Sequence, residues 1–421
     1  MHPSRHTSLC IVHYALCIAL VALCAASADA DWLYDGSGST KTLTELDPPG
    51  GTPWVLKCTV SGQDLTLTGV STVGSGTVMD LSAPVTDAEG APYAIVGIGS
   101  GAFSGKKTIT KVVYPDTLRT IGGEAFKECS AINLVLPALV PDYITSFNTS
   151  GRGVYENCTA ITQDFSIGFS PISTGGGQWI RNTKVARADF GPYITTIPSF
   201  VFEATALKDL RLSEGLVTFN DGSNSGSLTN VFPAFPLTLK TLKQSFRSSS
   251  LVLPEVRLDN VTTLGGNFSS STVRKIWFGP GITSFPSYLF ERGNHVTNIT
   301  ICATNAITSI GSSAFAALGE MEEFTFMGPA PTENILNAIF ANVATLKPIV
   351  RVSKLQGGWL GLSGLERDLS VIRSTLGNSA AQYESILARD DFLGLYTATG
   401  GKRVWMRSPS TTPTWLMLRK P

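Results

Sequence analysis

The sequence predicts a β-rich solenoid in which each repeat supplies one short parallel strand. A small β cap closes its N-terminal end and an α+β cap its C-terminal end. Three observations carry this reading. The phrase Ile98-Gly99-Ser100-Gly101-Ala102-Phe103 returns as Ile121-Gly122-Gly123-Glu124-Ala125-Phe126 and as Ile310-Gly311-Ser312-Ser313-Ala314-Phe315, with looser copies at Pro198-Ser199-Phe200-Val201-Phe202 and Pro286-Ser287-Tyr288-Leu289-Phe290. The interval between copies is nearly constant: 23 residues from Phe103 to Phe126, 22 from Phe268 to Phe290, 25 from Phe290 to Phe315. A repeat of this length marks a solenoid, whose units bury their apolar faces against their neighbours. Finally, 43% of the 421 residues are hydrophobic and only 15% are charged, which suits a chain with a long continuous core.

Residues 1–30 read as a secretory signal. Arg5 and the amino terminus precede an apolar stretch from Leu9 to Ala26, and Ala28 and Ala30 fit an A-x-A cleavage pattern. The expected destination is outside the cytoplasm, secreted or at the cell surface. No later segment offers about 20 consecutive apolar residues, so no membrane span is expected in the mature chain. Cys10, Cys17 and Cys24 leave with the leader, which reduces the seven cysteines to Cys58, Cys129, Cys158 and Cys302.

Residues 31–93 fall outside the repeat and form the N-terminal β cap, with strands at Trp54–Val60 and Leu65–Thr68. The solenoid occupies 94–356. In its clearest unit Val112 and Tyr114 alternate inward while Lys111 and Val113 face out. Pro115 ends the strand, Gly122 is expected to permit a tight turn, and the Ala-Phe pair fills the rung. Residues 357–421 form the C-terminal cap. Leu362, Leu365, Leu369, Ile372 and Leu376 recur at helical spacing. Strands follow at Phe392–Tyr396, Val404–Met406 and Trp415–Leu418.

The run Ile121-Gly122-Gly123-Glu124-Ala125-Phe126-Lys127-Glu128-Cys129-Ser130-Ala131-Ile132-Asn133-Leu134-Val135-Leu136-Pro137 resembles the BspA-type leucine-rich repeat, an I-G-x-x-A-F-x-x-C-x-x-L core ending in a strand and a proline. The resemblance implies an α/β leucine-rich repeat fold in a secreted or surface protein, and adhesion to host or matrix proteins. The middle copies depart from it, with Pro198 and Pro286 in place of glycine and no cysteine.

The chemical inventory points away from catalysis. One histidine, His295, remains after the leader, too few for a multi-histidine metal site, and it lies in a polar inter-repeat turn. Gly97-Ile98-Gly99-Ser100-Gly101 is followed by Ala102 and a repeat instead of a long helix, which disfavours a dinucleotide loop. No cofactor and no enzymatic activity are expected. A formal net charge of zero and the lack of a basic run argue against nucleic acid. Cys129 and Cys158 fill equivalent places in successive repeats as small core residues; a Cys129–Cys158 disulfide is the alternative.

Recognition is therefore sought on the outward strand positions. The candidates are Lys111, Arg187, Asp189, Asp209, Arg211, Lys275 and Trp277. Trp277, between inward Ile276 and Phe278, reads either as an exposed anchor or as a ring that a loop covers. The expected partner is a host or matrix protein. A glycan ligand, bound or cleaved, is the first alternative, and a structural role in an envelope or matrix the second.

Overall fold

The computed structural model describes residues 31–408 apart from 49–50, 149–151, 221–226, 233–234, 244–252, 254, 266–267, 269–272, 291–294, 303–306, 317, 342, 344–347 and 353–357. The expected leader and the strand at Trp415–Leu418 lie outside the described residues.

The N-terminal segment forms a closed ring of strands. Strands β1 (Trp32–Asp35), β2 (Lys41–Glu45), β3 (Val55–Ser61) and β4 (Asp64–Thr72) run as an antiparallel meander. β4 pairs in parallel with β7 (Pro92–Ile98), β7 pairs with β6 (Val85–Thr86), and β6 returns to β1. Closure leaves no free edge in this ring. Alternation places Trp32, Leu43, Leu56, Leu65 and Leu67 inside, with Trp54 buried beside them. The Trp54 indole donates to the Gly76 carbonyl at 3.1 Å.

From the ring the chain winds into a solenoid with two parallel ladders. The first carries the repeat strand expected from the sequence: β5 (Val78–Asp80), which lies within the segment assigned to the cap, β8 (Lys111–Val113) and β10 (Leu134–Leu136); then β12 (Phe165–Ile167), β14 (Arg187–Phe190), β16 (Asp209–Leu212) and β18 (Asn230–Phe232); then β20 (Glu255–Leu258), β22 (Lys275–Phe278), β24 (Asn298–Ile301), β26 (Glu323–Phe326) and β27 (Ile349–Val352). The second is built from two-residue strands. β9 (Thr120–Ile121), β11 (Ser146–Phe147) and β13 (Ser173–Thr174) continue the N-terminal ring through β7. β15 (Thr196–Ile197), β17 (Thr218–Phe219), β19 (Thr241–Leu242) and β21 (Thr263–Leu264) follow, then β23 (Ser284–Phe285) and β25 (Ser309–Ile310). Among the described residues the first ladder breaks between β10 and β12 and between β18 and β20. The second breaks between β13 and β15 and between β21 and β23. At the first break the Gln163 amide stands in for the missing strand. It accepts from the Val135 N–H at 3.0 Å and donates to the Val135 carbonyl at 2.8 Å.

Inside, aromatic rings stack from rung to rung. Phe103, Phe126 and Tyr155 lie nearly parallel, with centroids 5.2 and 5.7 Å apart. Tyr155 and Tyr114 share a hydroxyl contact of 2.7 Å, and Tyr155 donates to the Leu139 carbonyl at 2.7 Å. Those bonds satisfy phenols that are otherwise sealed from water. Further along, Phe290 and Phe315 meet at 5.7 Å and Phe324 and Phe340 at 5.4 Å.

Cys129 and Cys158 are buried core residues as expected, while the alternative of a disulfide between them and the role expected of Gly122 need correction. Cys129 and Cys158 are separate thiols. Equivalent positions on parallel rungs point their side chains the same way, so each S–H donates to a carbonyl of the preceding rung, Phe103 for Cys129 and Phe126 for Cys158, both at 2.9 Å. Burial pushes the Cys129 thiol up to about 12. Gly122 does not make the turn. A Cβ there would sit 2.5 Å from the Ser100 nitrogen, and at Gly311 2.2 Å from the Ser287 nitrogen. Glycine is needed because two backbones touch. The left-handed turn comes two residues later, at Gly101, Glu124 and Ser313, with φ of 66°, 59° and 56°.

At the C-terminal end, helix α1 (Glu333–Phe340) buries Leu336, Ile339 and Phe340. The helix expected from the leucine spacing is shorter than the pattern: α2 spans Leu369–Leu376, and Leu365 belongs to β28 (Leu365–Glu366). Asp368 sets the start by accepting from the Ser370 N–H at 2.7 Å. Strands β29 (Phe392–Thr397) and β30 (Arg403–Arg407) extend the last sheet, with β30 parallel to β27. α2, a short helix α3 (Glu384–Leu387) and the outer face of this hairpin enclose a second core of Ile372, Leu376, Leu387, Leu395 and Trp405. No helix among the described residues is long and apolar enough to cross a membrane.

Candidate binding face

Parallel pairing without register shifts turns the outward positions of the first ladder into columns. In the middle sheet, Arg187 registers with Asp209 and Asp189 with Arg211. Asp189 pairs with Arg187 at 2.9 Å and with Arg211 at 3.7 Å, and Asp209 accepts from Asn230 at 2.7 Å. The hydrogen bond and charge of Asp189 hold the Arg187 guanidinium above its usual range. Arg187, Asp189 and Arg211 thus form one partly exposed ion-pair belt, with Asp209 in register beside Arg187. Lys111 is apart from them, in the first sheet, registered with Val78 and Leu134.

Lys275 and Trp277 lie in the third sheet. The expected alternation holds around them, because Ile276 and Phe278 are buried inside. Of the two readings of Trp277, the exposed anchor does not hold and the covered ring does: it is only 9% exposed. Its cover includes an arginine from the preceding rung. Arg257 registers with Trp277 and places its guanidinium 4.8 Å from the ring centroid, a cation–π contact. Asp259 fixes that guanidinium with bonds of 2.7 and 3.2 Å. On the following rung the residue in register is Thr300, much smaller than tryptophan. This step opens a cavity of about 290 Å³ edged by Glu255, Arg257, Lys275, Asn298 and Thr300. Glu255 and Lys275 reach solvent and present opposite charges side by side.

Arg257 and Glu255 were not among the residues singled out from the sequence. The readable signal was the Arg-x-Asp spacing, shared by Arg187 with Asp189 and by Arg257 with Asp259. His295 belongs to a surface cluster instead, with Nδ1 3.2 Å from Glu320, which also pairs with Arg274 at 2.6 Å. Among the described residues no group of three or more His, Cys, Asp or Glu side chains is arranged to hold a metal ion.

The sequence model of the BspA type leucine rich repeat region, in six copies, matches residues 96–229 and 223–347. Among solved structures, a leucine-rich repeat protein from Bacteroides ovatus is 16% identical, covering 77% of this chain and 89% of its own, with a TM-score of 0.44. The pneumococcal vaccine antigen PcpA is 16% identical over 73% of this chain and 98% of its own, with a TM-score of 0.35. A leucine rich cell surface protein from Faecalibacterium prausnitzii is 17% identical over 66% of this chain and 88% of its own, with a TM-score of 0.36. No curated protein matches the chain. With its repeats matched from residue 96 to 347, more than half of its length, this chain belongs to the BspA-type leucine-rich repeat family.

Proposed function

We propose that the protein is a secreted or cell-surface, non-catalytic binding protein that engages a host or matrix protein through the outward face of its first ladder. The observation that carries this is the Arg257–Trp277 stack beside an open cavity. Arginine and tryptophan dominate binding hot spots, and here both are ordered before any partner arrives, which lowers the entropy lost on association. Lys275 and Glu255 flank the stack and Arg187, Asp189, Asp209 and Arg211 extend the mixed-charge surface, so partner choice rests on complementary charge placement. The neutral balance of the chain favours a protein surface of mixed sign over nucleic acid. The test is capture of purified matrix proteins and cell-surface extracts, followed by affinity measurement with Trp277→Ala and Arg257→Ala. Loss of affinity by tenfold or more in folded variants supports the reading; unchanged affinity in both removes this face from it.

A further inference from the structure

A second concave site lies away from this face, on the second ladder. A cavity of about 400 Å³ is bordered by Gly177, Thr196, Pro198, Ser199, Phe200 and Asn220, and among the described residues no charged side chain lines it. Its geometry is built. A Cβ on Gly177 would fall 2.5 Å from the Ser199 carbonyl oxygen, so the floor is two rungs in backbone contact. Phe200 stands on the rim, 44% exposed, with φ of 63°. Gly101, Glu124 and Ser313 occupy the same left-handed turn in other repeats, so a bulky aromatic here keeps a strained backbone while turning its ring to solvent. The Asn220 amide oxygen lies buried behind this wall, with no hydrogen-bond partner among the described residues. Beneath the floor, the fully buried Asn148 donates its amide to the Gly177 carbonyl at 3.2 Å, and its own oxygen is likewise unpartnered.

The geometry points to a binding site for a neutral saccharide, distinct from the protein-binding face and independent of it. An exposed aromatic ring offers a platform for the apolar C–H face of a pyranose. The Thr196 and Ser199 hydroxyls match the donors and acceptors of sugar hydroxyls. A charged ligand would lose hydration there, and no described lining residue offers a counter-charge to replace it.

The experiment uses the intact protein against neutral polysaccharides (glucans, mannans, galactans) and anionic ones (hyaluronan, polygalacturonate), followed by calorimetry with the best neutral oligosaccharide. Phe200→Gly removes the ring and supplies the residue best suited to positive φ, so the turn survives. Binding of a neutral saccharide is expected, about tenfold weaker in Phe200→Gly at an undiminished melting temperature, and retained in Phe200→Tyr. No binding to any neutral saccharide, binding to anionic ones alone, or equal affinity in Phe200→Gly overturns the assignment. Loss of binding in Phe200→Tyr, which keeps the stacking ring, also counts against it.

Discussion

Replacing Gly122 by alanine tests how the rungs are spaced. Its backbone is not left-handed, so an ordinary argument from chain entropy makes Gly122→Ala stabilising by about 0.4–1 kcal/mol. The neighbouring rung reverses the sign. The added methyl would lie 2.5 Å from the Ser100 nitrogen and 2.8 Å from the Gly99 carbonyl carbon, both backbone atoms. The Gly122 N–H also bonds to the Ile98 carbonyl at 2.7 Å, which holds the two turns together. Relief requires rungs to part, and overpacking of this kind costs about 1–3 kcal/mol. The net expectation is a loss of about 1–2 kcal/mol once the entropy gain is subtracted. Because solenoid rungs interact with neighbours only, the damage should stay local. Hydrogen exchange should quicken at the amides of Gly122 and Gly101 far more than in β24 or β26. Gly101→Ala is the control: nothing lies within 4 Å of its Cβ, but its φ is +66°, so it pays only for left-handed backbone, about 1–2 kcal/mol. A Gly122→Ala protein as stable as the parent, with unchanged exchange, would refute the close-contact account.

The remaining expectations concern the caps, the core thiols and the first ladder break. Asp391 is held down to about 2, first by its hydrogen bond from Arg407 and then by Arg389. A depressed carboxylate stabilises the fold above its unfolded value near 3.8 and loses that contribution as pH falls toward 2. Asp391→Asn should therefore differ from the parent by about 1–2 kcal/mol at pH 6, allowing for solvent screening, and hardly at all near pH 2, as read by melting temperature. Burial raises the thiols of Cys58 to about 11 and of Cys129 to about 12. Both should resist alkylation at pH 8 in the native protein and react once it is denatured, with no disulfide found by mass spectrometry. Gln163→Leu leaves the N–H and carbonyl of Val135 without their partner. It should destabilise the protein by about 1–2 kcal/mol and speed exchange at the Val135 amide.

Much of the fold was legible because the repeat carries its own frame. Phe103, Phe126 and Phe315 fix the rung, and alternation at Val112 and Tyr114 or Ile276 and Phe278 fixes which side faces in. The second ladder was not legible. A two-residue strand such as Thr120–Ile121 has no period to detect, and it forms only because the neighbouring rung presents its backbone in register. Closure of the N-terminal ring was hidden for the same reason, since it depends on the short β6 reaching β1 across the segment. The outward candidates followed from alternation, but what covers Trp277 did not. Arg257 lies 20 residues earlier, and its position over the indole is set by rung-to-rung register. The glycine was misassigned because a residue chosen for inter-rung contact and one chosen for positive φ look alike in a single sequence.

The staggered breaks in the two ladders also have a mechanical consequence. Among the described residues, where one ladder is interrupted the other runs on, as courses of brick overlap their joints. β11 and β13 span the gap between β10 and β12, and β19 and β21 span the gap between β18 and β20. At each of these gaps a pull along the axis is then carried by a row of backbone hydrogen bonds in the other ladder. Each interruption becomes a place where the stack of rungs can flex toward its intact side without shearing apart.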